Sequence, residues 1–279
     1  MTRITILGLG TMGVGVAGRL ADADTTLTLW NRTPGVHEAL SSRPNVEVAE
    51  SLATAVSDAD VVLSFLTDDD ASREVWATAY AYCAPATLVV ECSTVSPERA
   101  EEFVAEATAS GYSAVVALMV GSKPQAESGT LTFLTGGDET AATTVATLLD
   151  PASSSVRHAG SPRSAAILKL SINTLLATQL ATMATLKKVT ESAGMPDALD
   201  LVTDIPAFSP LAVGLLARMR SGDFSPNFSV DLIEKDLGYM SSLAIDLQVA
   251  PDVVDAVRAV FTRASAQGLG DKDFSVIGA

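Results

Sequence analysis

The chain has 279 residues, 48% of them hydrophobic, which is enough for two domains with a sizeable core and lies outside the composition of disordered chains. Its 33 acidic against 18 basic residues leave a net charge of −15, which speaks against nucleic acid and anionic membrane surfaces as partners. Two cysteines (Cys83, Cys92) and two histidines (His37, His158) provide neither a disulfide framework nor a metal-ligand spacing, so no metal site is expected. With no basic leader and no run of roughly 18 apolar residues, a cytoplasmic protein without a membrane span is expected.

The first element is a short β-branched run, Ile4-Thr-Ile-Leu, that feeds into Gly8-Leu-Gly10-Thr-Met-Gly13 and then a helix-forming segment. A strand, a tight turn and a helix N-terminus in that order are what a pyrophosphate needs. Gly8 permits the turn, Gly10 lets backbone approach the phosphates, and Gly13 lets the helix pack on the strand. The helix N-terminus adds unpaired N–H groups and a partial positive charge. A glycine turn that binds nothing is the plain alternative.

Further candidate strands follow at Thr26–Trp30, Asp60–Leu66, Thr87–Glu91, Ser113–Leu118 and Leu131–Thr135, after a first one at Arg3–Leu7. Between them lie helical patterns such as Gly13–Ala23, Ser51–Ser57, Ser72–Tyr82 and Pro97–Ser110. This alternation predicts an α/β domain of Rossmann type, a doubly wound parallel sheet over residues 1–161. Asp150-Pro-Ala-Ser-Ser-Ser and Gly160-Ser-Pro162 mark the exit from it. Residues 162–279 read as all-α, a substrate and dimerisation domain built on one long helix, Ser164–Ser192. Lys169 is the only charge in that helix between Arg163 and Lys187, so burial on several sides is expected. Shorter helices complete the domain at Asp197–Leu201, Ser209–Ser221, Asp231–Leu247 and Pro251–Gln267.

The second strand ends in Asn31-Arg32-Thr33, about where an NAD-binding fold places an acid for the ribose hydroxyls. A neutral amide does not repel a 2′-phosphate, and Arg32 and Thr33 can bond it, the guanidinium through a planar, permanently charged fork. The residues therefore point to NADP(H), unless Arg32 is only a solvated turn residue. Leu66 and Thr67 close one strand at its carboxyl side and Thr94 follows another, where ligands bind in open α/β sheets; either threonine could equally be an ordinary N-cap.

Lys169 is the sharpest single residue. Asn173 lies four positions on, so both project from one helix face. Burial moves a lysine pKa towards working pH and makes the group usable as a proton donor. A lysine snorkelling from the helix's first turns is the alternative. Lys235-Asp236, taken alone, reads as a solvated pair.

These residues together resemble the β-hydroxyacid dehydrogenase family: 3-hydroxyisobutyrate dehydrogenase, tartronate semialdehyde reductase and the glyoxylate/succinic semialdehyde reductases. The resemblance spans nearly the whole chain. It rests on Gly8–Gly13 with Ala17, Cys92-Ser-Thr94 with Pro97, Gly121-Ser-Lys-Pro-Gln-Ala-Glu-Ser-Gly129, Gly136-Gly137, Lys169 with Asn173, Phe228 ahead of Lys235-Asp236, and Gly268-Leu-Gly-Asp-Lys-Asp273. It implies coenzyme contacts from Thr11, Met12 and their flanking glycines, from Thr94, and from Lys235. It also implies Lys169 as general acid, Asn173 as its orienter, and Met119, Val120, Gly121, Phe228 and Asp236 around the substrate. A homodimer or homotetramer is implied as well. One departure stands out: Val116-Ala-Leu118-Met119-Val120-Gly121 occupies the place of the family's Asp-x-Pro-Val-Ser-Gly, so Val120 replaces the serine that anchors a substrate carboxylate. An unpaired carboxylate oxygen in a closed site costs ~1–3 kcal/mol.

The reading is an NADPH-dependent reductase of a small aldehyde or keto compound. An imine reductase is the alternative, because an Ala-x-Met-Val run occurs in those related enzymes. A non-catalytic NADPH-binding protein is a third possibility, against which Lys169 and Asn173 argue.

Overall fold

The computed structural model describes residues 1–33 and 38–279. The chain divides into two compact units, Met1–Lys169 and Leu170–Ala279. The first carries β1 (Thr2–Leu7), α1 (Thr11–Ala21), β2 (Thr25–Trp30), α2 (Glu38–Ser41), β3 (Val46–Val48), α3 (Leu52–Val56), β4 (Val61–Ser64) and α4 (Asp69–Ala79). It continues with β5 (Leu88–Glu91), α5 (Pro97–Ala109), β6 (Ser113–Val120), α6 (Lys123–Ser128), β7 (Leu131–Gly137), α7 (Glu139–Leu149) and β8 (Ser153–His158). The helix α8 (Pro162–Ser192) begins in this unit and continues into the second, which adds α9 (Pro210–Ser221), α10 (Val230–Asp246) and α11 (Asp252–Ala264).

The eight strands form one sheet in the order β3-β2-β1-β4-β5-β6-β7-β8. Pairing is parallel except between β6 and β7. A parallel return needs a crossover of about a dozen residues or more. Residues 121–130 form a tight connector instead, closed by Gly129 in the left-handed region as the C-cap of α6, so β7 runs back along β6. The sheet is covered on both faces. One layer packs Val16, Leu20, Ala126, Val145 and Leu149 against Ile4, Ile6, Val90 and Val115. The other sets Trp76 and Phe103 on Leu7, Val62 and Val89. β4 and β5 are buried along their whole length, which is why they read as apolar runs up to their last residues, Ser64 and Glu91.

Two expectations need correction. The segment 150–155 is not an exit from the sheet: Asp150–Ala152 forms a 3₁₀ turn and Ser153–His158 is the last strand. β8 pairs only with β7 and β3 only with β2, so neither is covered on both sides, and neither carries the apolar run by which the central strands announce themselves. The long helix is also not buried all round. Leu175 is 63% exposed and Val189 59%, with Ile172 and Leu186 exposed on the same stripe.

The second unit has its own core, in which Leu180, Met183, Leu215, Ile233, Leu237 and Phe261 meet. Cys83 and Cys92 are free and buried. Burial pushes the Cys83 thiol up to about 11 and the Cys92 thiol well above its ordinary range. Both thiols stay protonated at neutral pH, and the thiolate is the nucleophile. Iodoacetamide at pH 7 is therefore expected to label neither in the native protein and both in denaturant, read by intact mass.

Candidate active site

The glycine loop joins β1 to α1 beside the end of β4. Gly8 has φ +92°, and a Cβ there would lie 2.2 Å from the Phe65 carbonyl oxygen. A Cβ on Gly13 would lie 2.3 Å from the Gly8 carbonyl oxygen, so that glycine sets the close approach of helix and turn. Gly10 differs: a Cβ there meets nothing within 4 Å. Its φ of −69° and ψ of −174° are open to any residue, so nothing inside the protein demands a glycine. Gly10 is also the N-cap of α1, without a side-chain cap and with no acid in the first turn. By contrast Asp68, Ser96 and Asp138 cap α4, α5 and α7. An uncapped helix start over open space, reached by a residue with no side chain, fits a phosphate group. Thr11 is exposed and Met12 half-buried at this start.

Asn31 has a task that its sequence position did not announce. Its Oδ1 accepts from the Leu9 N–H at 3.0 Å, and its Nδ2 donates to the Thr33 carbonyl at 2.9 Å. The amide thus ties the end of β2 to the glycine loop. Arg32 lies 3.8 Å from Glu74, both largely exposed. Such surface pairs are worth about 0.2–1 kcal/mol, so Glu74 is a weak competitor for the guanidinium. Residues 34–37, which follow, lie outside the described residues.

At the carboxyl ends of β4 and β5, capping falls to Asp68 and Ser96 rather than to Thr67 and Thr94: Asp68 accepts from Ala71 N–H and Ser96 from Arg99 N–H. Thr67 donates to Asp68 at 3.2 Å, and the Leu66 N–H donates to Ser93 Oγ at 2.6 Å. Beneath these loops lies a carboxylate that sequence reasoning passed over. Glu91 is fully buried; Oε1 accepts from Ser64 Oγ (2.7 Å) and Ser93 N–H (2.8 Å), Oε2 from Ser72 Oγ (2.7 Å) and Trp76 Nε1 (3.0 Å). The only signal was an acid ending the apolar run Leu88-Val-Val.

β6 ends in Met119 and Val120, half-buried and paired with Phe133 and Thr132, above a fully buried Leu118. At Gly121 φ is +134°, and a Cβ would stand 2.7 Å from Leu131 Cδ2. This end of the strand is apolar.

On α8, Lys169 is 7% exposed and Asn173, one turn on, 3%. Within the second unit Asn173 Nδ2 donates to Asp236 Oδ2 at 2.6 Å. Lys235 Nζ lies 2.8 Å from Asp236 Oδ1, an ion pair off the line of a hydrogen bond, and 4.7 Å over the Tyr239 ring. With Asp236 only 2% exposed, Lys235-Asp236 is not the solvated pair that adjacency alone would give. Phe228 stacks at a tilt on Phe274 (5.5 Å), and its N–H faces Asp273, which also accepts from Asn227 N–H at 3.0 Å and Ser275 Oγ at 2.5 Å. The C-terminal glycine-aspartate segment thus holds the loop that carries Phe228. Among the described residues no group of three or more His, Cys, Asp or Glu could hold a metal, and no helix is long and apolar enough to cross a membrane.

An open sheet with its glycine loop at the strand-order reversal defines a Rossmann-type dinucleotide-binding fold, and the family matches make it an NAD(P)-dependent oxidoreductase. Residues 3–160 match the family described as the NAD binding domain of 6-phosphogluconate dehydrogenase, and residues 164–278 the NAD-binding domain of NADP-dependent 3-hydroxyisobutyrate dehydrogenase. The chain belongs to the β-hydroxyacid dehydrogenase family. It is 29% identical to a probable 3-hydroxyisobutyrate dehydrogenase of Mycobacterium tuberculosis, over 90% of this chain and 88% of that one. The solved structure of the M. tuberculosis 3-hydroxyisobutyrate dehydrogenase with L-serine is similar at a TM-score of 0.87 and 27% identity, covering 100% of this chain and 98% of that one. An imine reductase of Streptomyces aurantiacus shares the fold at a TM-score of 0.68 and 20% identity, over 99% and 98% of the two chains.

Proposed function

We propose that the chain reduces a small aldehyde or keto compound with NADPH, in the cytoplasm, with Lys169 as general acid. The observation that carries this reading is a lysine and an asparagine buried one turn apart on an otherwise uncharged stretch of α8, the asparagine held by Asp236. When bound, the coenzyme supplies the hydride. Lys169 donates a proton to the substrate oxygen as it gains negative charge. Asp236 takes the Asn173 amide nitrogen and so turns its oxygen to the opposite side, suited to accept from an ammonium or a hydroxyl. Thr67, Thr94 and Lys235 are the proposed further coenzyme contacts, and Met119, Val120, Gly121 and Phe228 the substrate surroundings. NADPH oxidation measured against semialdehydes, keto acids and cyclic imines tests the reading; turnover of carbonyl compounds is expected.

The apolar Leu118–Val120 end of β6 favours one second reading, a C=N acceptor, which as an iminium already bears positive charge and needs less acid catalysis. Faster turnover of cyclic imines than of any carbonyl in the panel would replace the first reading by this one.

Arg32 and Thr33 support NADPH over NADH. A charge-assisted bond to a 2′-phosphate is worth about 1.5–3 kcal/mol, or roughly 10–100-fold in affinity. Arg32→Ala should weaken NADPH by that factor and leave NADH unchanged, by calorimetry. Tighter binding of NADH to the unaltered chain overturns the preference.

The exposed Ile172, Leu175, Leu186 and Val189 stripe supports a homodimer or homotetramer through α8. Leu175→Glu should lower the mass seen by sedimentation; an unaltered chain that sediments as a monomer removes the idea.

A further inference from the structure

The pyrophosphate loop leaves β1, the adenosine end belongs over β2 on one side of it, and β4 and β5 lie on the other. The carboxyl ends of β4 and β5 are therefore the ground beneath the nicotinamide half of the coenzyme. Two backbone segments meet there, Phe65-Leu66-Thr67 and Cys92-Ser93-Thr94, and a side-chain bond links one to the other beyond the ladder. Leu66 N–H donates to Ser93 Oγ, while Ser93 N–H donates to Glu91 Oε1, which also receives Ser64 Oγ from β4.

We propose that Glu91 is a positioning residue for the nicotinamide half of the coenzyme, acting through Ser93 on the Leu66–Thr67 and Thr94 segments. The proposal rests on the coenzyme reading above. A carboxylate is required because both oxygens receive a donor that cannot turn into an acceptor: a backbone N–H on Oε1 and an indole N–H on Oε2. An amide at this place must turn its NH₂ towards one of the two and lose that bond, which leaves either the Ser93 N–H unpaired or the indole N–H with its longer contact to Ser64 Oγ at 3.2 Å. A buried cation lies one hydroxyl away from this carboxylate. Ser72 Oγ donates to Glu91 and accepts from Arg99 Nε at 3.0 Å, and the fully buried Arg99 continues to Glu106 at 2.9 Å. A serine hydroxyl thus couples an acid under the loop to a buried cation on α5. For packing alone, a further apolar residue at the end of Leu88-Val-Val would have served.

The test uses the full chain and two probes, followed by calorimetry: whichever of NADH and NADPH binds more tightly, and ADP-ribose or its 2′-phosphate to match, which lacks the nicotinamide. Unfolding temperatures verify that each variant is folded. Glu91→Gln and Ser93→Ala should each weaken the dinucleotide about tenfold and the nicotinamide-free probe less than about twofold, from the loss of a buried hydrogen bond. Ser93→Ala removes the acceptor of the Leu66 N–H and leaves all four bonds to Glu91 in place, so it stands in should Glu91→Gln not fold. Trp76→Phe removes the Glu91 bond on the far oxygen and a longer contact to Ser64 Oγ, and leaves the Ser93 bonds in place; it should lower stability and shift neither affinity more than about twofold. Equal weakening of both probes, no selective loss in Ser93→Ala, or the same selective loss in Trp76→Phe overturns the proposal. Failure of the unaltered chain to bind either dinucleotide overturns the coenzyme reading itself and this proposal with it.

Discussion

Lys169→Ala is expected to lower kcat by about 10²–10⁴-fold, the range that general acid–base groups contribute, while the affinity for NADPH stays unchanged. The reasoning starts from solvation. A lysine 7% exposed on a helix with no other charge for many residues around it is held away from water at a cost that a packing role does not require. Its neighbour Asn173 is itself fixed by Asp236, 63 residues away in sequence, so the polar pair is supported from a second helix. Lys169→Arg separates proton donation from charge. A guanidinium keeps its proton at any working pH, so this variant should recover only the electrostatic share of the rate. Stopped-flow measurement of hydride transfer with a carbonyl found in the substrate panel reads both variants. Full turnover in a folded Lys169→Ala protein discards the role.

Gly10→Val should abolish coenzyme binding, by about 100-fold or more, and leave stability within about 1 kcal/mol. The two effects separate because the glycine is not required by the fold: its backbone is extended, and an added Cβ touches nothing within 4 Å. What the branched side chain would fill is the space over the uncapped N-terminus of α1. Gly13→Ala is the contrasting case. There an added Cβ stands 2.3 Å from the Gly8 carbonyl, so the cost falls on the fold, about 1–3 kcal/mol by overpacking. Thermal unfolding and calorimetric titration of NADPH on both variants give the comparison. Native affinity in Gly10→Val would falsify the phosphate assignment.

The parts of this molecule legible from its residues share one property: their physical requirement is local. The turn at Gly8 and the approach at Gly13 are met within a dozen residues, and the φ of +92° and the 2.3 Å spacing are what the glycines promised. β4 and β5 are buried on both faces and so are written as mostly apolar runs. Edge strands carry no such mark, and Ser153-Ser-Ser at the start of β8 reads as loop until β7 is seen beside it. The helix α8 was legible over Ser164–Ser192 from its composition and from Gly194 and Pro196 beyond its end, but its exposed stripe was not, since an apolar side chain does not say what covers it.

The candidate site divides in the same way. Composition and order marked Lys169 and Asn173, yet nothing in the local pattern joined Asn173 to Asp236. Asn31 was read for the absence of a charge, whereas its amide holds the glycine loop through Leu9. Glu91 was invisible because a single acid at the end of a strand has no periodicity to violate.

The amino-acid order by itself determined the sheet-and-helix class, the glycine loop and the long helix with one charge, Lys169, between Arg163 and Lys187, because backbone conformation and burial pattern are decided by neighbours a few positions apart. Only the tertiary structure decided which carboxylates are partners of which donors. Those pairs, Glu91 with Ser64 and Trp76, Asp236 with Asn173, Asp273 with Asn227, form where the chain folds distant segments alongside one another. A buried charge is tolerated only where such donors converge.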